Sequence, residues 1–309
     1  MRFQCSECRA VCDADGGDAG GEVACAHCGV RVAVPANRLS PGAIVGDCCI
    51  RGPLGEGERG LVFRVDQTTL DRPAALRVLR PEYREDGERV REFVRGVRNA
   101  CRLNHMNIVQ GYGINEDEGI LFFAMELLEG RTLEEVLAAE GRLPAERVLA
   151  IGRDIAGALD HAWTTQQLLH RAVNPKHIFV TDAGPAKLFD WELARTAEEM
   201  TDEDQTEPVG RPEYCCPPAL WPSPPDVRGD IYSLGACLYH AVTGRVPFAG
   251  ESVGEILRRN AEEDLPSPKE LAPDLPDSLC AVLLKMLAKN PDDRHADAQE
   301  LLRELDDAG

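Results

Sequence analysis

Residues 168–180 read LLHRAVNPKHIFV. The run before them, PAERVLAIGRDIAGALDHAW (144–163), repeats its apolar residues at helical spacing and is read as an amphipathic helix. The closing HIFV is apolar and strand-like. A loop held between a rigid helix and a strand is a common seat for reacting side chains. This one carries His170, Arg171, Lys176 and His177 but no carboxylate.

Further segments stand in a definite order on either side. Downstream come AKLFDWELAR (186–195), GRPEYCCPPAL (210–220), DIYSLGACLYHAVTGRVPF (230–248) and NPDDRHADAQELL (290–302). Upstream are strand-like ILFFAMELLEG (120–130), LNHMNIVQGYG (103–113), and an arginine-rich helical stretch at 82–103. Before that stretch lies AALRVL (74–79), an apolar strand with one cation, Arg77. It is preceded by LGEGERGLVFRV (54–65), in which Gly55, Gly57 and Gly60 spell GxGxxG ahead of Val62. Taken alone those glycines are a weak signal, since such turns often only join hairpin strands.

In this order and spacing the segments over residues 48–307 resemble the protein-kinase catalytic domain, most of all bacterial serine/threonine kinases of the eukaryotic type. The resemblance implies an α+β, bilobal fold. A β-rich N-lobe would cover about 48–126, a helical C-lobe about 129–307, and ATP and magnesium would occupy a cleft between them. It would set adenine between Val62 and Ala75 above and Phe179 below, beside Glu126 to Leu128. Phe179 is larger than the leucine usual there, so a partly filled pocket is the alternative.

The groups that move a phosphoryl group are depleted. By resemblance the strand lysine is Arg77, bulkier and forked, and its helix carboxylate is replaced by Gly96. The base after His170 and Arg171 is Ala172. The phosphate-contacting lysine is Asn174, and the magnesium-binding asparagine is His177, a nitrogen donor where magnesium favours oxygen. Asp190 retains one metal-ligand position, while Glu192 replaces a glycine. Arg294 lacks the glutamate it would pair with. Scaffold positions such as Asp230 and Gly235 remain. Arg171 is expected either to pair with a permanent carboxylate of TAEEMTDEDQTE (196–207) or to face a solvated acidic loop. The pattern reads as a pseudokinase acting with proteins of a signalling pathway, with a weakly active or atypical serine/threonine kinase as the alternative.

Charge narrows the classes further. The chain has 309 residues, 53 acids against 34 lysines and arginines, and a net charge of −19, which repels phosphate backbones and argues against nucleic-acid binding. No uncharged apolar run reaches the length of a membrane span, and no export signal is apparent, so a cytoplasmic protein is expected.

At the N-terminus CSEC and CAHC place Cys5, Cys8, Cys25 and Cys28 as two CxxC pairs, with 16 residues between Cys8 and Cys25. Two such turns across a hairpin supply four thiolates in a tetrahedron, the arrangement of a closed zinc site. A redox dithiol or two disulfides are the alternatives. Residues 1–34 are therefore expected as a zinc ribbon with structural zinc on Cys5, Cys8, Cys25 and Cys28 and with His27 facing solvent; Cys12 in place of one of the four is the alternative. Residues 1–38 hold four arginines and five acids, so the ribbon has no basic footprint. The Pro- and Gly-punctuated stretch 35–47 reads as a linker.

Overall fold

The computed structural model describes residues 1–15, 18–57, 59–201, 210–217 and 220–309. They form two compact units, Met1–Cys101 with Gln110–Leu128, and Arg102–Val109 with Glu129–Gly309.

The first unit begins with two antiparallel hairpins, β1 (Arg2–Gln4) with β2 (Val11–Asp13) and β3 (Glu22–Ala24) with β4 (Arg31–Ala33). Phe3, Cys12, Val32 and Val34 give them a small shared core with Cys5 and Cys25. A six-stranded antiparallel sheet follows, built from β5 (Ile44–Val45), β6 (Cys48–Glu56), β7 (Gly60–Gln67), β8 (Arg72–Leu79), β9 (Gly111–Asp117) and β10 (Ile120–Met125) in the order β5-β6-β7-β8-β10-β9. Alternating residues such as Ile50, Phe63, Val65, Leu76 and Phe122 fill one side. The helix Gly87–Arg102 lays Phe93 and Val97 against Leu79 and Phe123 on another.

Residues 35–47, expected as a linker, are packed instead. Ala43, Ile44 and Val45 are fully buried. Ala43 bridges Phe3, the Gln4 N–H donates to the Gly42 carbonyl at 2.9 Å, and β5 pairs with β6. The cysteine hairpins are thereby joined to the sheet. Asp117 reinforces the junction, accepting from the Gly46 N–H at 2.8 Å and from Arg38 at 2.6 Å, with Arg2 3.5 Å away.

The second unit is mainly helical. Ala145–Gln166 is the 22-residue helix expected before the loop, and Arg228–Thr243 is buried almost throughout. Small residues set their packing: a Cβ at Gly152 would lie 3.0 Å from Leu238, and one at Gly235 would lie 2.8 Å from Met286. A three-stranded sheet, Gly130–Thr132, Ile178–Thr181 and Ala186–Leu188, carries the site described next. Among the described residues no helix is long and apolar enough to cross a membrane.

Candidate functional site

The four paired cysteines converge. Their sulfurs all lie within 4.8 Å of one another, with Cys5 to Cys28 at 3.9 Å and Cys8 to Cys25 at 3.7 Å. Four thiolates about 2.3 Å from a tetrahedral ion would be roughly 3.8 Å apart, so the set fits zinc. N–H groups of Cys28 and His27 hold the Cys25 thiol down to about 6, while burial and the neighbouring thiols push Cys8 up to about 12. Cys12 lies in the ribbon core outside this four-sulfur cluster, and His27 is exposed.

The glycine motif spans the β6–β7 turn, with Glu58 outside the described residues. The Gly57 N–H closes the turn onto the Gly60 carbonyl at 2.8 Å. A Cβ at Gly60 would sit 2.3 Å from the Val78 carbonyl oxygen, so packing alone demands glycine there. Gly55 has open space around its Cα, and Gly57 has only ordinary contacts. Neither is fixed by sterics, which leaves their backbone available to approach a ligand. Gly60→Ala is expected to cost more than 1 kcal/mol through that clash, whereas Gly55→Ala stays within about 0.5 kcal/mol. Denaturant unfolding of the two variants checks the contrast, and equal losses would refute it.

Val62 pairs across the sheet with Arg77, and Ala75 with Met125. Arg77 is 6% exposed, and Gly96 is buried on its helix. Glu126 and Leu128 follow β10, where the Glu126 carboxylate accepts from the Gln110 N–H at 3.2 Å. Glu92, one turn before Gly96, has Arg95 at 3.8 Å. These residues belong to the first unit; Phe179 and Asp190 belong to the second.

In the second unit the loop 168–180 is held from behind by Asp230. Its buried carboxylate accepts the His170 N–H at 2.7 Å and the Arg171 N–H at 2.8 Å. This fixes Arg171 in the left-handed region, φ 67°. His170 is fully buried; its Nε2 donates to the Phe189 carbonyl at 2.9 Å, and its ring meets Trp191 edge-on at 4.6 Å. Ala172 is buried, with its carbonyl facing two side chains: Asn174 Nδ2 donates to it at 2.9 Å and His177 Nδ1 at 2.8 Å. That bond sets the His177 tautomer and leaves Nε2 3.4 Å from Asp190 Oδ2. Asp190 itself sits at φ 66°. Phe179 meets Phe189 edge-on at 6.3 Å.

Glu192, which replaces a glycine by resemblance, lies in the short helical turn Trp191–Leu193 and is 5% exposed. The left-handed residue here is Asp190, so position 192 needs no glycine for its backbone. Arg294 has replaced its missing glutamate with main-chain oxygens of Ala288, Arg228, Leu220 and Lys289, all between 2.8 and 3.1 Å. Arg171 Nη1 reaches the Leu193 carbonyl at 3.4 Å. Residues 202–209, which take in half of the acidic stretch 196–207, lie outside the described residues. Sequence reading missed Asn107, whose buried amide donates to the Ala186 carbonyl at 2.9 Å and ties NHMNIV to the site strand. A polar side chain directly before the apolar pair Ile108-Val109 was the available signal.

Burial pushes the Asp230 carboxyl up to about 6, against its two N–H bonds, and pushes His170 down to about 3. On acidification below about pH 6.5 the unfolded chain protonates this histidine first, which destabilises the fold. Between about pH 6 and 4 the folded chain protonates Asp230 first, which opposes that loss. Asp230→Asn removes the opposing contribution, so its stability should fall more steeply than the parent's from pH 6.5 to 4. Denaturant midpoints at several pH values test this, and parallel profiles would refute it.

The protein kinase domain pattern matches residues 50–305. Serine/threonine-protein kinase PrkC of Bacillus subtilis is 33% identical over 248 residues, covering 80% of this chain and 38% of that protein. PknL of Mycobacterium tuberculosis is 32% identical over 249 residues, 81% of this chain and 62% of its own. The chain thus spans less than two thirds of the length of either relative. The crystal structure of the M. tuberculosis PknI kinase domain aligns with a TM-score of 0.69 at 28% identity, covering 88% of this chain and all of that one. The chain belongs to the protein kinase family, and the relatives named here are bacterial serine/threonine kinases.

Proposed function

We propose that this chain is a pseudokinase: a kinase-fold protein that acts by binding signalling proteins and transfers phosphate poorly or not at all. The carrying observation is the polar budget around position 172. Ala172 offers no base, and the nearby Asn174 and His177 side chains both donate to its carbonyl. General-base catalysis is typically worth ~10²- to 10⁴-fold, and Gly96 adds the loss of a carboxylate that orients phosphates in kinases. Nucleotide binding without efficient transfer is compatible with the unencumbered Gly55 and Gly57 and with Asp190. Zinc in the cysteine cluster has a structural role in this reading, and twelve free cysteines suit a reducing compartment such as the cytoplasm.

An atypical active kinase is the second reading, favoured by the retained Asp190 and glycine turn. Transfer from radiolabelled ATP to the chain itself and to a generic basic substrate, with magnesium or manganese, separates the two. Incorporation at background supports the proposal; robust incorporation abolished by Asp190→Ala overturns it.

A further inference from the structure

The helix Gly87–Arg102 buries Phe93, Gly96, Val97 and Ala100 on one side. On the opposite side Arg91, Arg95 and Arg98 fall at i, i+4 and i+7, and the last residue, Arg102, continues the row. Arg91, Arg98 and Arg102 are exposed. Elsewhere arginines are commonly matched with acids, as Arg38 is with Asp117, Arg142 with Asp274 and Arg147 with Glu140. Along this row the described residues provide one ion pair, Arg95 to Glu92 at 3.8 Å. In a chain of net charge −19, a row of cations left for solvent is a local inversion of the overall field.

We propose that this row docks an acidic, extended segment of a partner protein, independently of whether the kinase fold transfers phosphate. At a rise of about 1.5 Å per residue, successive arginines stand roughly 6, 4.5 and 6 Å apart along the helix. Alternate side chains of an extended strand are about 6.6 to 6.8 Å apart on one face. Carboxylates at alternate positions therefore meet the row nearly in step, and each guanidinium can take a carboxylate through paired N–H donors. At physiological salt, fields are screened over about 8 Å. A short acidic segment lying on the helix feels the arginines, while a long polyanion reaching beyond them also meets the field of a chain of net charge −19. This selects a peptide over nucleic acid.

The test uses the full chain and a fluorescein-labelled peptide of six Glu-Ser repeats, read by anisotropy at 0.15 M salt. A 12-nucleotide single-stranded DNA and a Lys-Ser repeat peptide serve as controls. The acidic peptide should bind, and R91Q/R95Q/R98Q should weaken it about tenfold or more, with zinc content and unfolding temperature unchanged. The lysine triple R91K/R95K/R98K should retain part of the affinity. Arg98→Glu, a single solvent-facing change, carries the same expectation should the triple variant fail to fold. No binding by the parent chain, equal binding by these variants, or tighter binding of the oligonucleotide would overturn the proposal.

Discussion

Removing zinc is expected to unfold the cysteine hairpins and to lower the unfolding temperature of the whole first unit. Structural zinc sites of this kind contribute about 10–16 kcal/mol of apparent binding free energy, and a segment of about 35 residues has too little core to fold without it. The ribbon's core here is Phe3, Val32, Val34 and a few small side chains around the sulfurs. What makes the effect spread is the junction. Phe3 bridges Ala43, the Gln4 N–H donates to Gly42, and Arg2 donates to the Gly46 carbonyl at 3.0 Å, all beside β5. Arg51 reaches Gln4 from the sheet side at 2.8 Å.

Losing these contacts exposes β5 and forfeits three hydrogen bonds at about 1 kcal/mol each. For a unit of this size that corresponds to roughly 5–15 °C in unfolding temperature. Cys25→Ser, or a strong chelator, should reduce metal from one zinc per chain and show this shift by calorimetry. Hydrogen exchange should accelerate at Ile44, Val45 and Gly46. Protection there that survives metal removal would mean that the sheet holds its edge without the ribbon, and well under one zinc in the parent protein would remove the premise.

The junction also marks where sequence reading stopped. The cysteine cluster was legible because ligand spacing is local: two CxxC turns need only be brought together. The kinase fold was legible because its segments keep their order, and positions such as Gly60 are dictated by contacts within a pair of strands. Stretch 35–47 was read as a linker because proline and glycine punctuate it. Whether a two-residue strand such as Ile44–Val45 exists depends on a partner strand and a bridge from residue 3, which no local pattern encodes. The same holds for Arg294. Its lost glutamate could be inferred from the sequence, but the four carbonyls that replace it come from three separate places in the chain, at 220, 228 and 288–289. At the site, the substitutions at 172, 174 and 177 were visible individually; their convergence on one carbonyl oxygen was not.

That convergence bears on the second large expectation, that restoring the base alone does not restore transfer. Ala172→Asp returns a carboxylate to the loop, yet it enters a place already shaped around alanine. Gly210, at φ 83°, packs beside it at ordinary contact distance, a Cβ on that glycine lying 3.5 Å from the Ala172 Cα and Cβ. The Ala172 carbonyl still holds Asn174 and His177, so neither the phosphate-contacting position nor the second metal position is regained. Groups that act together on one transition state return little until the set is complete. The single variant should therefore stay within about tenfold of background, although a well-placed base is worth ~10²- to 10⁴-fold in a complete site. Transfer should rise only when Arg77→Lys, Gly96→Glu and His177→Asn are added to it. The last also trades an imidazole for an oxygen donor beside Asp190, so the gain should be larger with magnesium than in the same variant retaining His177. Initial rates of phosphate transfer across this series, each variant checked for unchanged unfolding temperature, decide the matter. A jump of a hundredfold or more from Ala172→Asp alone would show that the site had kept its organisation and lost only the base.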